Sequence, residues 1–193
     1  MRLKKVFKNL FPSVALEGTE LEVFECISKR KSVRSYTKKQ VPKEVLEKVL
    51  DAALLAPSAG DIHPYRIVVV TDEEKIRRIA EAALNQVFIA QAPVVIVYLV
   101  SIEEASAYGR RGVELYSLLD VGASMENLML AATSLGLSTC WVGAFDEKRV
   151  EEIVKAPKGY RAVSITPLGY SDHVPRAIPP PPKSEKVYYD EFK

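Results

Sequence analysis

Apolar residues recur along this chain at one of two spacings, and the spacing changes at recognisable breakers. Residues 2–11 put Leu3, Val6, Phe7, Leu10 and Phe11 on one face with cations opposite, which predicts an amphipathic helix. Thr19 and Glu22 form a capping box, each side chain reaching a free backbone N–H of a first turn, and open a helix through about Lys29. Pro42 suits a helix's first position, where its missing N–H costs nothing. Val45, Leu46, Val49, Leu50, Ala53 and Leu54 then repeat at helical spacing up to the stop at Pro57. Tyr65–Thr71 is β-branched and almost continuously apolar, the signature of a strand buried on both faces. Asp72 caps the next helix, with Ile76, Ile79, Ala80 and Ala83 inward, and a second buried strand runs Val94–Val100. A long helix is predicted over about 113–135, its apolar face marked by Leu115, Leu118, Leu119, Gly122, Met125, Met129 and Ala132 and its stop by Gly136. Thr139–Ala144 reads as a third strand. Asp146 caps a helix carrying Val150, Ile153 and Val154, and Arg161–Leu168 reads as a fourth strand.

This order of elements fits one domain over residues 19–174, preceded by a basic amphipathic extension (1–18). The extension suits packing on the body or on a partner subunit, with contact to a membrane surface as the alternative. After Gly169 the chain changes character. Pro175, four prolines at 179–182 and a tyrosine-rich end predict an extended arm (175–193) with no core of its own.

Composition narrows the function classes. With 193 residues, 48% of them hydrophobic, the chain can bury one full core. A net charge of +2 gives no global case for nucleic acid. The cations are clustered instead: residues 29–39 carry six with no acid. The two cysteines, Cys26 and Cys140, belong to no Cys-x-x-Cys or Cys/His cluster, so neither a disulfide framework nor a zinc site is expected. No apolar run approaches the ~18 residues of a membrane-crossing helix. The expectation is a cytoplasmic protein with no integral membrane association.

Two segments carry candidate chemistry. Arg30-Lys31-Ser32-Val33-Arg34 offers planar guanidinium forks and a neutral hydroxyl donor, which suit a phosphate. It follows a helix C-terminus, whose dipole disfavours an anion, so side chains must do the binding. A solvated basic turn is the alternative. Pro57-Ser58-Ala59-Gly60 joins a helix to a strand with small side chains, suiting a flat ring lying against backbone, or an ordinary connecting loop. There is no Gly-x-Gly-x-x-Gly after a strand and no Walker-type loop. Trp141-Val142-Gly143-Ala144-Phe145 ends a strand just before a helix cap, where backbone N–H groups can face a ligand. His63 is a possible proton donor but reads better as structural, and Cys140 as a small core residue. No triad is expected. One ligand with both a phosphate and a flat ring is a flavin mononucleotide.

Taken in order, these segments resemble the nitroreductase family of flavin enzymes. The matching pieces are Arg30 to Tyr36, Ala56-Pro57-Ser58-Ala59-Gly60 with Pro64, Asn85-Gln86 ahead of Ala92-Pro93-Val94-Val95, Asp120 to Ala132, Leu135-Gly136-Leu137, Trp141 to Asp146, and Pro167-Leu168-Gly169-Tyr170. They cover about residues 24–193. The resemblance implies an α+β fold, a central mixed sheet flanked by helices, in an intertwined homodimer with two FMN sites at the interface. It implies that Arg30, Lys31, Ser32 and Arg34 hold the phosphate, ribityl chain and pyrimidine edge. Pro57, Ser58 and Ala59 would come from the other subunit to lie against the ring. Asn85 would reach the pyrimidine side, and Gly143 would turn its N–H to flavin N5, with Ala144 beside it. The arm would return a cation to the phosphate, Lys183 first and Arg176 second. Substrate specificity would lie in the variable segment Ser101–Gly112 near the entrance.

By the same resemblance no side chain need be a nucleophile, since the flavin carries the redox chemistry. NAD(P)H would reduce it and a small quinone- or nitroaromatic-like acceptor would reoxidise it, in a ping-pong cycle. A flavin-binding relative without NAD(P)H turnover, whether regulatory, flavin-cleaving or azoline-dehydrogenase-like, is the alternative. A nucleic-acid or membrane-surface binder using the basic clusters is a third and would bind no flavin.

Overall fold

The computed structural model describes residues 22–192, so the basic helix at 2–11 and the Thr19 end of the capping box lie outside the described residues. The described part begins with helix α1 (Val23–Lys29), entered from Glu22. Helix α2 (Lys43–Leu54) follows, with Pro42 as its N-cap, one position earlier than the sequence suggests. Strand β1 (Tyr65–Val70) leads into α3 (Glu73–Ala82), where the Asp72 carboxylate accepts from the Lys75 N–H at 2.8 Å. Then come β2 (Val94–Ser101), the long α4 (Ser117–Ser134), the two-residue β3 (Ser138–Thr139), α5 (Glu147–Ile153) and β4 (Tyr160–Gly169). Gly136 closes α4 at φ +73°, a left-handed conformation that glycine adopts without a Cβ clash.

The strands form one sheet in the order β1-β2-β4-β3. All three pairings are antiparallel, with Tyr65 opposite Val100, Val94 opposite Leu168, and Thr139 opposite Leu168 on the other edge of β4. A parallel bridge between Ser32 and Thr139 adds the mixed character.

Every residue of β2 is buried. Alternate side chains of a strand point to opposite faces, so this one strand feeds two cores. Ile96, Tyr98 and Val100 pack with Val49 and Ala53 of α2 and with Met125, Leu128 and Ala132 of α4. Val95, Val97 and Leu99 pack with Ile76, Ile79 and Ala80 of α3 and with Val150 and Ile153 of α5. Each such side chain contributes roughly 1.5–3 kcal/mol, so β2 is the energetic centre of the fold.

Three expectations are corrected. First, β1 is an edge strand and is not buried on both faces: only its ends, Tyr65 and Val70, are buried. Second, the third strand is shorter than Thr139–Ala144. Only Ser138–Thr139 pairs as a strand, and Val142 adds a single bridge to Ile165. Third, α4 has two apolar faces, and the core takes Val121, Met125, Leu128, Met129 and Ala132. Leu118 and Leu119 lie outside, 40% and 59% exposed. Polar groups on the inner face are satisfied locally. Ser124 Oγ donates to the Ala53 carbonyl at 2.9 Å and meets the Tyr98 hydroxyl at 2.9 Å, so it faces α2 of its own chain.

Candidate functional site

Residues 30–36 run as an extended strip along the open edge of the sheet. The Val33 N–H donates to the Thr139 carbonyl at 2.9 Å, and the Tyr36 hydroxyl donates to the Val33 carbonyl at 2.8 Å. The Tyr36 N–H donates to Gln91 Oε1 at 3.1 Å. Extended backbone alternates its side chains, which divides the predicted residues. Val33 is buried, and Lys31 Nζ turns back to donate to the Ser28 carbonyl at 2.6 Å. Arg30, Ser32 and Arg34 take the other side.

The residues around that side are drawn from three elements. Arg34 stacks over the Phe88 ring at 5.9 Å. Phe88 lies in the turn Val87–Gln91, just after Asn85. Asn85 is exposed and left-handed (φ 57°), a conformation Asn tolerates better than most residues. Its neighbour Gln86 donates from Nε2 to the Ala144 carbonyl at 3.1 Å, and the Asp146 N–H donates to the Ala82 carbonyl at 2.9 Å. These two bonds fix the Gly143–Ala144 turn beside Asn85. At Gly143 no atom of the described residues, its two chain neighbours aside, stands within 4 Å of where a Cβ would be, so a flat group can reach the backbone there.

Cys140 sits under the strip. Burial pushes its thiol up from the ordinary value, while Arg34, a hydrogen bond with Ser32, and Arg30 pull the other way. A buried, raised thiol is a core residue and not a nucleophile at neutral pH. The buried Tyr36 hydroxyl is likewise pushed far up, by burial first and then by Cys140, against Arg34.

Sequence reasoning alone assigns no role to Asp120, Gln86 or Gln91, yet these three hold the segments in place. Asp120 is 6% exposed, and its Oδ1 accepts from the Ala59 N–H at 2.9 Å. A lone carboxylate inside the apolar run Leu118-Leu119-Asp120-Val121 is the signal that marks it. Ser58 Oγ accepts from the His63 N–H at 2.9 Å, closing the same loop on itself. His63 Nε2 meets Asp61 Oδ1 at 2.9 Å, and its ring lies edge-on to Tyr65, so it serves the loop's shape. Asp120→Ala strands a partly buried N–H and is expected to destabilise the protein by about 1–3 kcal/mol. Urea unfolding measures this, and an unchanged midpoint refutes the role.

Within the chain the Pro57–Ala59 loop and the basic strip attach to different parts of α4. Ala59 holds Asp120, whereas Arg30 Nε pairs with Glu126 at 3.5 Å, six residues or roughly 9 Å further along the helix axis. Lys183 is exposed on the arm. The arm's Ile178 is 91% exposed. Among the described residues no group of three or more His, Cys, Asp or Glu could hold a metal ion, and no helix is long and apolar enough to cross a membrane.

The sequence model of the nitroreductase family matches residues 27–91 and 84–170. The chain belongs to the nitroreductase family. It is 32% identical over 178 residues to a putative NADH dehydrogenase/NAD(P)H nitroreductase of Methanothermobacter thermautotrophicus, covering 88% of this chain and 89% of that protein. It is 29% identical over 163 residues to an FMN reductase [NAD(P)H] of Bacillus subtilis, over 77% of this chain and 66% of that protein. The solved structure of an FMN-dependent nitroreductase from Clostridium difficile superposes with a TM-score of 0.76 at 28% identity, over 86% of this chain and 98% of that one. The nitroreductase match spans the strip at Arg30, the loop at Pro57, Asn85 and the Gly143 turn.

Proposed function

We propose that this chain is an FMN-dependent oxidoreductase. It moves electrons from NAD(P)H to a small quinone- or nitroaromatic-like acceptor, the two substrates using one place in turn. The observation that carries this reading is that Arg30, Ser32 and Arg34 act on Cys140 from one side of the strip, with Arg34 over Phe88 and the open Gly143–Ala144 turn tied to Gln86 beside Asn85. The donor set fits the cofactor: two guanidinium groups and a hydroxyl suit a phosphate and a polar chain, and bare backbone suits a planar ring. Bound FMN would supply the electron-accepting ring. Arg30 and Ser32 would hold its phosphate, and Arg34 would place positive charge at its pyrimidine edge. Lys31 stands on the strip's other side and would add charge without contact.

The reading includes a homodimer. Pro57, Ser58 and Ala59 of the partner subunit would lie against the ring, and Lys183 of the arm would come to the phosphate. The separate anchoring of loop and strip on α4 supports this arrangement, as do the exposed Leu118 and Leu119 and the exposed Ile178 of the arm.

Titration with FMN tests the function. One FMN per chain at micromolar concentration is expected, with NAD(P)H oxidation when a quinone is added. No binding removes the reading. Binding without NAD(P)H oxidation favours the flavin-binding relative that does not turn over.

A further inference from the structure

Between β2 and α4 the chain is held in an unusual shape. Gly109 has φ 58° and ψ −147°, a region essentially reserved for glycine. Gly112 opens a single turn of π-helix, Gly112–Tyr116, and a Cβ on it would overlap the Ala105 carbonyl oxygen. π-turns inside helices occur often at functional sites, because they re-aim the side chains around them.

The groups gathered around this turn are Tyr108, Arg111 and Tyr116. The Tyr108 hydroxyl occupies the space beside Gly60 where any side chain would stand, so its ring lies on the backbone of the Pro57–Pro64 loop. The Tyr108 and Tyr116 rings meet edge to face at 5.8 Å. Arg111 donates from Nε to the Tyr116 hydroxyl at 3.1 Å, with its guanidinium 5.3 Å from the ring centroid. A continuous chain of contacts therefore runs from the loop through Tyr108 and Tyr116 to one guanidinium.

Arg111 differs from Arg66, Arg77, Arg110 and Arg161, each of which meets a carboxylate. Its Nε is pinned by a neutral aromatic, and its two terminal nitrogens have no partner among the described residues. A guanidinium fixed at Nε with its terminal nitrogens free is preorganised to take a carboxylate or phosphate.

We propose that Arg111 is the docking point for an anionic group on a substrate that stacks on the flavin ring at the edge of the Pro57–Pro64 loop, with Tyr108 forming the wall beside it. This rests on the flavin reading above, which places the ring at that loop. The anion is a carboxylate on the electron acceptor or a phosphate of the nicotinamide dinucleotide.

The test compares 4-nitrobenzoate with 4-nitrobenzamide as acceptors, and NADPH with NADH as donors, using the FMN-loaded protein. An acceptor carboxylate predicts that wild type prefers the benzoate and that Arg111→Gln cuts the benzoate-to-benzamide ratio of kcat/KM by about tenfold or more. Arg111→Lys restores that ratio only in part, since an ammonium cannot form the planar fork. A dinucleotide phosphate instead predicts that Arg111→Gln raises KM for the nicotinamide substrate at an unchanged acceptor ratio. Arg110→Gln, whose side chain meets Glu114, should leave both readouts at wild-type values. If Arg111→Gln leaves the acceptor ratio and the dinucleotide KM unchanged, the proposal is overturned while the flavoenzyme reading stands. If wild type binds no FMN, that reading fails independently of Arg111.

Discussion

Arg30→Ala is expected to weaken FMN binding by about 1.5–3 kcal/mol, the range for hydrogen bonds to charged groups, or roughly tenfold to 150-fold in Kd. Riboflavin, which lacks the phosphate, should lose far less. In the free chain Arg30 pairs with Glu126 at 3.5 Å, with 28% and 46% of the two side chains exposed. A pair that open to solvent is worth only about 0–1 kcal/mol, so a phosphate outcompetes it and the preference survives the exchange. Parallel titrations of wild type and variant with the two flavins measure the difference. Equal losses for FMN and riboflavin would mean that Arg30 shapes the strip and does not grip phosphate.

A second large effect is expected at Leu119→Glu. Leu119 is 59% exposed on the outer face of α4, with Leu118 beside it and Trp141 close to Gly122. If this face meets its copy, each buried leucine contributes roughly 1.5–3 kcal/mol, and a twofold interface counts it twice. The dimer dissociation constant should then rise by about a hundredfold or more. FMN should be lost with the dimer, because half of each site is proposed to come from the other subunit. Sedimentation at several concentrations, with flavin absorbance recorded alongside, reads both. A variant that stays dimeric and yellow would show that another face makes the contact.

Legibility in the sequence followed how local each determinant is. Asp72 and Asp146 cap their helices as read, because a carboxylate two or three residues from a free N–H needs no distant partner. The inward faces of α3 and α5 follow from spacing alone, and the continuous apolar run of β2 marks a central strand. The ordered segments at Arg30, Pro57, Asn85 and Gly143 were likewise visible as short patterns of charge, small size and turn chemistry, and they named the family.

What depended on distant contacts was not legible. The apolar run of β1 looks like that of β2, yet it lies at the sheet's edge, and strand order is set by pairing across the chain. Two faces of α4 carry large apolar residues, and only the placement of α2 and the sheet decides which of them the core takes. Asp120 is a plain acid in the sequence until Ala59, sixty-one residues away, presents an N–H to it. Arg111 is one of two adjacent arginines, and only the π-turn at Gly112 gives it to Tyr116 while Arg110 goes to Glu114. Spacing within a few residues encodes helices, caps and alternation, because those interactions are made by neighbours in sequence. Which side chain meets which across the fold is settled by how the buried faces of β2, α2 and α4 close on one another, a property of the whole packed chain.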